Sequence, residues 1–155
     1  MNPPQMGSMN ALPRGTADVP PVAPPLLDGL RVLVVDDEAR FREMLGEMLG
    51  CCGAAVTAVG SVAEALRMMP KVRPDVLLSD LSMPERDGYA LIRAVRALAP
   101  ERGGHVRAVA VSGDTDEGTR QRAQTAGFDH YLAKPVELHR LVATIGGMTT
   151  KGVTS

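Results

Sequence analysis

The chain has 155 residues, of which 45% are hydrophobic, and its formal net charge is -1 at pH 7. This length suits one domain with a proper core, and the balanced charge excludes a broad basic surface for nucleic acid or an anionic membrane. No apolar stretch approaches a membrane span, and the N-terminus lacks the basic start and apolar core of a signal peptide.

Residues 1–28 are predicted to form a disordered, partly extended tail. They are rich in proline and in small or polar residues, a composition that cannot bury a core. The segment Pro21-Val22-Ala23-Pro24 has the spacing of a polyproline ligand, but such spacing is common in proline-rich linkers, and we interpret it as linker. A globular domain is predicted over residues 29–148, followed by a flexible C-terminal tail over residues 149–155.

The first predicted strand is the apolar run over residues 31–35, which is typical of a strand buried on both faces. A helix follows, in which apolar residues recur at helical spacing: Phe41, Met44, Leu45, Met48 and Leu49. Cys51 and Cys52 come at its end. Because adjacent cysteines do not suit ordinary disulfide geometry, we expect a reduced, cytoplasmic protein.

The same alternation of strand and helix continues along the chain. Further strands are predicted over residues 55–59, 75–79, 107–111 and 131–133. Apolar residues at helical spacing mark three further helices. The second helix has Val62, Ala65, Leu66 and Met69, and the third has Leu91, Ile92, Val95 and Leu98. The fifth has Leu138, Leu141, Val142 and Ile145. The fourth helix is predicted from about Asp116 to Ala126, and Gly127 suits its C-terminal cap.

Five strands, each followed by a helix, predict an α/β fold in which a parallel sheet carries helices on both faces. The closed eight-fold barrel is excluded by length. We therefore expect a doubly wound, flavodoxin-like sheet with strand order 2-1-3-4-5 and its switch point between strands 1 and 3. Asp36, Asp37 and Asp80 would then share one crevice.

Every predicted strand except the second ends in residues capable of polar chemistry: Asp36 and Asp37, Asp80, Ser112, and Lys134. Taken singly, each could be a capping acid, a turn hydroxyl or an exposed charge. In a parallel sheet, however, these ends meet at one edge, so their joint occurrence predicts one site. Three carboxylates within roughly 5 Å repel by about 3 kcal/mol per pair at an effective dielectric near 20, so the cluster requires a cation and a lysine.

Magnesium fits this cluster best, because it takes oxygen ligands and keeps waters that phosphate oxygens can replace. The constellation lacks the cysteine and histidine ligands that zinc prefers, and the scattered His105, His130 and His139 are interpreted as surface or packing residues.

The remaining groups match phosphoryl transfer. Asp80 is the only acid with a strand end to itself, so it is the predicted nucleophile. Asp37 is the expected direct metal ligand and Asp36 a second one, while Ser112 and Lys134 would hold the phosphoryl oxygens.

Five blocks of the sequence resemble the signature blocks of response-regulator receiver domains. They are Val34-Val35-Asp36-Asp37-Glu38, Ser79-Asp80-Leu81-Ser82-Met83-Pro84, Asp87-Gly88-Tyr89, Val111-Ser112-Gly113 and Tyr131-Leu132-Ala133-Lys134-Pro135. The resemblance covers residues 30–148 in the order and spacing of that family. Residues 27–38 and 127–135 look particularly like the receivers of hybrid histidine kinases.

This resemblance implies a single-domain response regulator of a two-component phosphorelay. A histidine kinase or histidine phosphotransfer protein would donate a phosphoryl group to Asp80, with magnesium required and manganese as a substitute ion. The main-chain carbonyl of Ser82 would complete the metal site, and the Lys134–Pro135 bond can be cis. Such a protein catalyses only its own phosphorylation and dephosphorylation. Ser82 and Asp114 occupy variable positions that tune the lifetime of the phosphoryl group.

The resemblance also implies how the signal leaves the domain. Ser112 would move towards the phosphoryl group and Tyr131 would swing inward, biasing an existing equilibrium. The expected output face covers the fourth helix, fifth strand and fifth helix, and it includes Asp116, Arg120, Tyr131, Glu137 and Arg140. Because few residues follow Ile145, output is expected through a partner protein, by a monomer or a weak dimer formed through this face. The first helix, near Phe41, is the expected docking face for the phosphodonor.

Two other functions compete with this prediction. A haloacid-dehalogenase-type phosphatase also uses an aspartate nucleophile, magnesium, a hydroxyl and a lysine, but there the nucleophile comes first and a second aspartate follows two residues later, where this chain has Ser82. The second alternative is a pseudo-receiver that is not phosphorylated and serves only as an interaction module.

Overall fold

The computed structural model describes residues 27–83, 87–114 and 116–149. Strands and helices alternate along the chain, with one short 3-10 helix at Pro100–Arg102. The strands are β1 (Arg31–Val35), β2 (Ala55–Val59), β3 (Val76–Asp80), β4 (Arg107–Ser112) and β5 (His130–Ala133). The helices are α1 (Ala39–Cys51), α2 (Val62–Val72), α3 (Gly88–Arg96), α4 (Glu117–Ala126) and α5 (Leu138–Thr149).

The five strands form one parallel sheet in the order β2-β1-β3-β4-β5. This order confirms the predicted doubly wound, flavodoxin-like α/β fold. β1 and β2 have the predicted bounds, whereas β3 begins and ends one residue later than predicted, β4 ends one residue later, and β5 begins one residue earlier. Asp80 and Ser112 are therefore the last residues of their strands and not the first residues after them.

The core consists of two apolar clusters, one on each face of the sheet. Alternate residues of β1 contribute to the two clusters, with Val32 and Val34 in one and Leu33 and Val35 in the other. The first cluster contains side chains from α1 and α5, and the second contains side chains from α2, α3 and α4. A central strand buried on both faces explains why the run over residues 31–35 is continuously apolar.

Three details of packing differ from the predictions. Met44 was predicted on the apolar face of α1 but is 37% exposed, because Leu45 and Leu49 supply the buried contacts of that helix. Leu98 lies beyond the end of α3. Leu27, within the predicted tail, is only 1% exposed and belongs to the first cluster, so the folded part begins no later than this residue.

Residues 1–26 and 150–155, and with them most of both predicted tails and the polyproline-like segment, lie outside the described residues. Both cysteines are free thiols, Cys51 exposed and Cys52 buried. Within the described ranges, none of the helices combines the length and hydrophobicity needed to cross a bilayer.

Arg96, the last residue of α3, ties together the loops that precede β4 and β5. Its five N–H donors all find acceptors, at 2.6 to 3.2 Å. The acceptors are the carbonyl oxygens of Gly104, Val106 and Gly127 and the carboxylate of Asp129. Asp129 also accepts a hydrogen bond from the backbone N–H of Ala108, at 2.8 Å. These contacts lie at the amino-terminal edge of the sheet, opposite the edge where β1, β3 and β4 end.

Candidate functional site

The predicted site residues lie at the carboxyl-terminal edge of the sheet. Asp36 and Asp37 follow β1, Asp80 ends β3, Ser112 ends β4, and Lys134 follows β5. The register pairs Asp80 with Val111, the residue before Ser112, and Ser112 with Ala133, the residue before Lys134. Parallel pairing thus brings these residues to one edge, as the sequence predicted.

The three acids form one cluster. Each of Asp36, Asp37 and Asp80 offers a carboxylate oxygen, and these oxygens lie within 4.8 Å of one another. Asp36 is 1% exposed and Asp80 8% exposed, whereas Asp37 is exposed to solvent. Three hard oxygen donors, one of them open to water, fit a magnesium ion, which binds through one or two carboxylates and retains waters. His105, His130 and His139 are exposed and take no part in the cluster.

Asp36 is held in place by its neighbours. Its carboxylate accepts hydrogen bonds from the backbone N–H of Glu38, at 2.8 Å, and from the ammonium of Lys134, at 3.1 Å. Its carbonyl oxygen accepts a hydrogen bond from Nη1 of Arg42, at 2.7 Å. The first turn of α1 therefore fixes the acid that is most deeply buried.

Lys134 connects the acids to the end of β5. Its Nζ lies 3.1 Å from Oδ2 of Asp36 and 3.7 Å from Oδ1 of Asp80. The same atom lies 4.2 Å from the centroid of the Phe41 ring. The peptide bond between Lys134 and Pro135 is cis, in accordance with the resemblance.

The contact between Phe41 and Lys134 was not predicted. The sequence analysis placed Phe41 among the apolar residues of the first helix and on a docking face. Its position in the first turn of α1, just after the acid pair, is the signal that could have indicated a place beside the site.

Asp80 lies in a strongly negative environment. Burial raises the pKa of its carboxyl group, and the negative charge of Asp36 raises it further. The ammonium of Lys134 and the backbone N–H of Ser82, which lies 3.4 Å from Oδ1, act in the opposite direction. Asp37 adds a smaller upward contribution. The pocket therefore carries more negative charge than one lysine balances, and a cation would relieve it.

Ser112 and Tyr131 both contact Asp114. The hydroxyl oxygen of Ser112 accepts a hydrogen bond from the backbone N–H of Asp114, at 3.0 Å, and the hydroxyl of Tyr131 donates one to the carbonyl oxygen of Asp114. The guanidinium of Arg120 lies 5.0 Å from the centroid of the half-buried Tyr131 ring. The two residues predicted to move together are thus connected through one intervening residue.

Asp114 also organises the start of α4, which the sequence did not indicate. Its carboxylate accepts hydrogen bonds from the backbone N–H of Asp116 and from the hydroxyl of Thr119, both at 2.9 Å. These two bonds, in that order of importance, lower the pKa of the Asp114 carboxyl group, and the nearby Arg122 contributes in the same direction.

Most of the predicted output face forms one groove. Arg120, Tyr131, Glu137 and Arg140 line it together with Lys134 and Pro135. Asp116 is not among its lining residues. Lys134 both lines this groove and contacts Asp36 and Asp80 of the acid cluster.

A flavodoxin-like parallel sheet with acids, a hydroxyl and a lysine at its carboxyl edge is an arrangement suited to phosphoryl chemistry. Residues 32–146 match the family model described as the response regulator receiver domain. The chain belongs to this family, has the receiver fold of a signalling switch, and is consistent with two-component signalling.

Relatives of known sequence and structure agree with this assignment. The chain is 43% identical over 114 residues to an uncharacterized 14.6 kDa protein of Leptolyngbya boryana, covering 72% of this chain and 86% of that protein. It is 34% identical over 118 residues to the sensor histidine kinase RcsC of Salmonella typhi, covering 76% of this chain but 12% of the kinase. The chain thus spans only a small part of that relative, in line with the predicted likeness to receivers of hybrid kinases.

Among solved structures, the chemotaxis protein CheY4 of Vibrio cholerae superposes with a TM-score of 0.70 at 28% identity. The superposition covers 75% of this chain and 95% of CheY4. This chain and CheY4 therefore share one fold over almost the whole length of CheY4.

Proposed function

We propose that this chain acts as a response-regulator receiver domain that accepts a phosphoryl group on Asp80 and signals through a change in its partner-binding surface. The donor is a phosphohistidine of a histidine kinase or of a histidine phosphotransfer protein. The observation that carries the proposal is the position of Asp80, whose Oδ1 lies 3.7 Å from Nζ of Lys134 and whose carboxylate joins Asp36 and Asp37 within 4.8 Å.

Asp36, Asp37 and Asp80 are the side chains that would hold magnesium, together with the main-chain carbonyl of Ser82. When bound, the ion supplies positive charge against the charge that develops on the phosphoryl oxygens. Two of these side chains already contact Lys134.

The transfer itself needs a carboxylate nucleophile and two groups that hold phosphoryl oxygens. An oxygen of the Asp80 carboxylate attacks phosphorus, the new O–P bond forms, and the P–N bond breaks with its electron pair leaving on the imidazole nitrogen. Lys134 faces Asp80 and can pair with one phosphoryl oxygen. The hydroxyl of Ser112 accepts a hydrogen bond from Asp114 and retains its own proton to donate to another.

The signal would leave the site through Ser112. A phosphoryl group adds charge and strong acceptor oxygens, which favour a movement of Ser112 towards it. Since Asp114 is bonded to both Ser112 and Tyr131, this movement disturbs Tyr131 and the groove that it lines. The exposed Ser82 and the neighbouring Asp114 are the positions that would tune how long the phosphoryl group persists.

The proposal is tested by incubating the chain with magnesium and acetyl phosphate and measuring its intact mass. We expect the mass to rise by one phosphoryl group, and we expect Asp80→Asn or removal of the metal with EDTA to prevent this. Asp28→Asn, which changes an exposed acid near the opposite edge of the sheet, is the matched control and should behave as the unaltered chain does.

Other results would favour the alternatives. Continuous release of phosphate from small phosphomonoesters over many turnovers would indicate a phosphatase. A folded chain whose mass does not change would indicate a pseudo-receiver.

A further inference from the structure

The Phe41 ring is an aromatic contact of the ammonium group that serves the site. The centroid of the ring lies 4.2 Å from Nζ of Lys134, well within the range in which a cation is attracted to the face of an aromatic ring. The side chain of Lys134 is only 24% exposed, so water screens this attraction less than it would at an open surface.

We propose that Phe41 is a positioning residue, whose ring holds the ammonium of Lys134 against the acid cluster and towards Asp80. This inference rests on the proposed phosphoryl transfer to Asp80. It assigns Phe41 no contact with the phosphoryl group itself, because the ring acts through Lys134.

The other contacts of Lys134 cannot fix it alone. Among the residues that the structure describes, the other contacts of its ammonium group are two carboxylates, Asp36 at 3.1 Å and Asp80 at 3.7 Å, and both belong to the cluster that would bind the metal. When Asp80 is phosphorylated, the ammonium must also exchange a carboxylate oxygen for a phosphoryl oxygen. The ring of Phe41 carries no ligand atom and undergoes no reaction, so it is the contact that remains the same before and after transfer.

The position of Phe41 in the chain suits this role. Phe41 belongs to the first turns of α1, whose start is fixed by the bond from Arg42 to the carbonyl of Asp36. Lys134, in contrast, has a flexible four-carbon stem. The ring therefore holds the flexible side chain of Lys134, near the end of the domain, against the first helix, which follows the acid pair.

Phe41→Leu keeps an apolar side chain of similar size and removes the aromatic face. With acetyl phosphate as the donor, we expect this variant to be phosphorylated about 3- to 10-fold more slowly, because the ammonium spends less time at the cluster. Phe41→Tyr retains the ring face and should recover most of the rate. Met48→Leu, which changes a partly buried residue of the same helix, is the matched control and should leave the rate unchanged.

A second measurement does not depend on phosphorylation. In the metal-free, unphosphorylated chain, the ring current of Phe41 should shift the ε-methylene proton resonances of Lys134 upfield. We expect the shift in the unaltered chain and in Phe41→Tyr, and we expect it to disappear in Phe41→Leu.

Several outcomes would overturn the inference: an unshifted Lys134 resonance, equal rates for Phe41→Leu and the unaltered chain, an equal loss in Met48→Leu, or no recovery in Phe41→Tyr. An effect seen only with a protein donor and not with acetyl phosphate would make Phe41 a docking residue instead. Failure of the unaltered chain to be phosphorylated would refute the proposed function, whereas the resonance test would still report on the contact.

Discussion

Asp36 and Asp37 are neighbours in the sequence but have different surroundings in the fold. Asp36 is buried, and its N–H group, carbonyl and carboxylate are all bonded, including a hydrogen bond from its N–H to the carbonyl of Val59 at 3.1 Å. Asp37 is exposed, and none of the residues that the structure describes forms a hydrogen bond with its side chain. Substitution of Asp36 therefore disturbs the fold as well as the acid cluster, so Asp37 is the better position at which to probe metal binding.

At the scale of single residues, the absence of a side chain at Gly88 allows the start of α3 to lie close to Asp80. It is buried at the start of α3, and a Cβ atom there would lie 2.9 Å from Cα of Leu81 and still closer to the carbonyl oxygen of Asp80. We expect Gly88→Ala to lower the free energy of unfolding by about 3 kcal/mol, because backbone must shift to admit the methyl group. Urea denaturation would measure this loss.

Gly46 provides the matched control. It lies within α1, and a Cβ atom there would meet nothing within 4 Å. Gly46→Ala should therefore raise the free energy of unfolding by about 0.5 to 1 kcal/mol. If Gly88→Ala and Gly46→Ala had the same effect on the free energy of unfolding, this result would contradict the close contact between α3 and the end of β3.

At the scale of elements, the start of α4 depends on Asp114. The hydrogen bonds from Asp116 and Thr119 lower the pKa of its carboxyl group below the ordinary value of about 3.9. The ionised form thus stabilises the fold at neutral pH, and this contribution is lost as the pH falls through the lowered folded-state pKa. We expect Asp114→Asn to be less stable than the unaltered chain at pH 7, and we expect the difference to disappear in strong acid. Chemical denaturation across this pH range would measure it.

Thr119→Val tests the cause of the shift. It removes the buried hydroxyl that donates to Asp114, so the pKa of Asp114 followed by NMR should rise towards the ordinary value. Thr125→Val, on the exposed surface of the same helix, should leave it unchanged. An unaltered titration of Asp114 in Thr119→Val would contradict the assignment of that bond.

The strands and their polar ends could be predicted because apolar runs stop where carboxylates, a hydroxyl or a lysine begin. The sequence did not allow us to predict which side chains from other elements these residues contact. The contact of Phe41 with Lys134 joins residues from the first helix and the last strand–helix loop, and periodicity carries no information on such distances. Met44 and Leu45 illustrate the same limit, since both fit a helical repeat and only packing shows which one is buried.

At the scale of the whole molecule, the folded part includes Leu27. Its side chain belongs to the first apolar cluster, and its N–H donates to the carbonyl of Cys52 at 2.9 Å. A chain that begins at Leu30 loses this buried side chain and the hydrogen bond from Gly29 to Gly53, and we expect its free energy of unfolding to fall by about 3 kcal/mol. Thermal and urea denaturation would measure the change.

A chain that begins at Pro25 is the control for this shortening. It keeps Leu27 and removes most of the proline-rich stretch, so its stability should equal that of the full chain within about 0.5 kcal/mol. A large loss on shortening to Pro25 would mean that the proline-rich residues contribute to the fold. The burial of Leu27 was not predicted, because Leu26 and Leu27 follow several prolines and no periodic pattern marks Leu27 as buried.

The strand order and the layered arrangement, in contrast, were predictable from the alternation of five strands with five helices. Each of the first four helices must cross from one parallel strand to the next, so the order of elements in the sequence restricts the sheet to few arrangements. Length excludes the closed barrel, which left the doubly wound, flavodoxin-like arrangement, and the sheet has that order.

The five hydrogen bonds of Arg96 divide the molecule into two mechanically different ends. One side chain braces the loops that enter β4 and β5, whereas the segments that leave these strands are held by separate contacts, namely those of Asp114 with Ser112 and Tyr131 and the pairing of Lys134 with Asp36. A disturbance that starts at Ser112 therefore reaches α4 and β5 through Asp114, at the edge of the sheet that Arg96 does not brace. We expect α4 and β5 to tilt about the edge that Arg96 holds rather than to slide as whole elements.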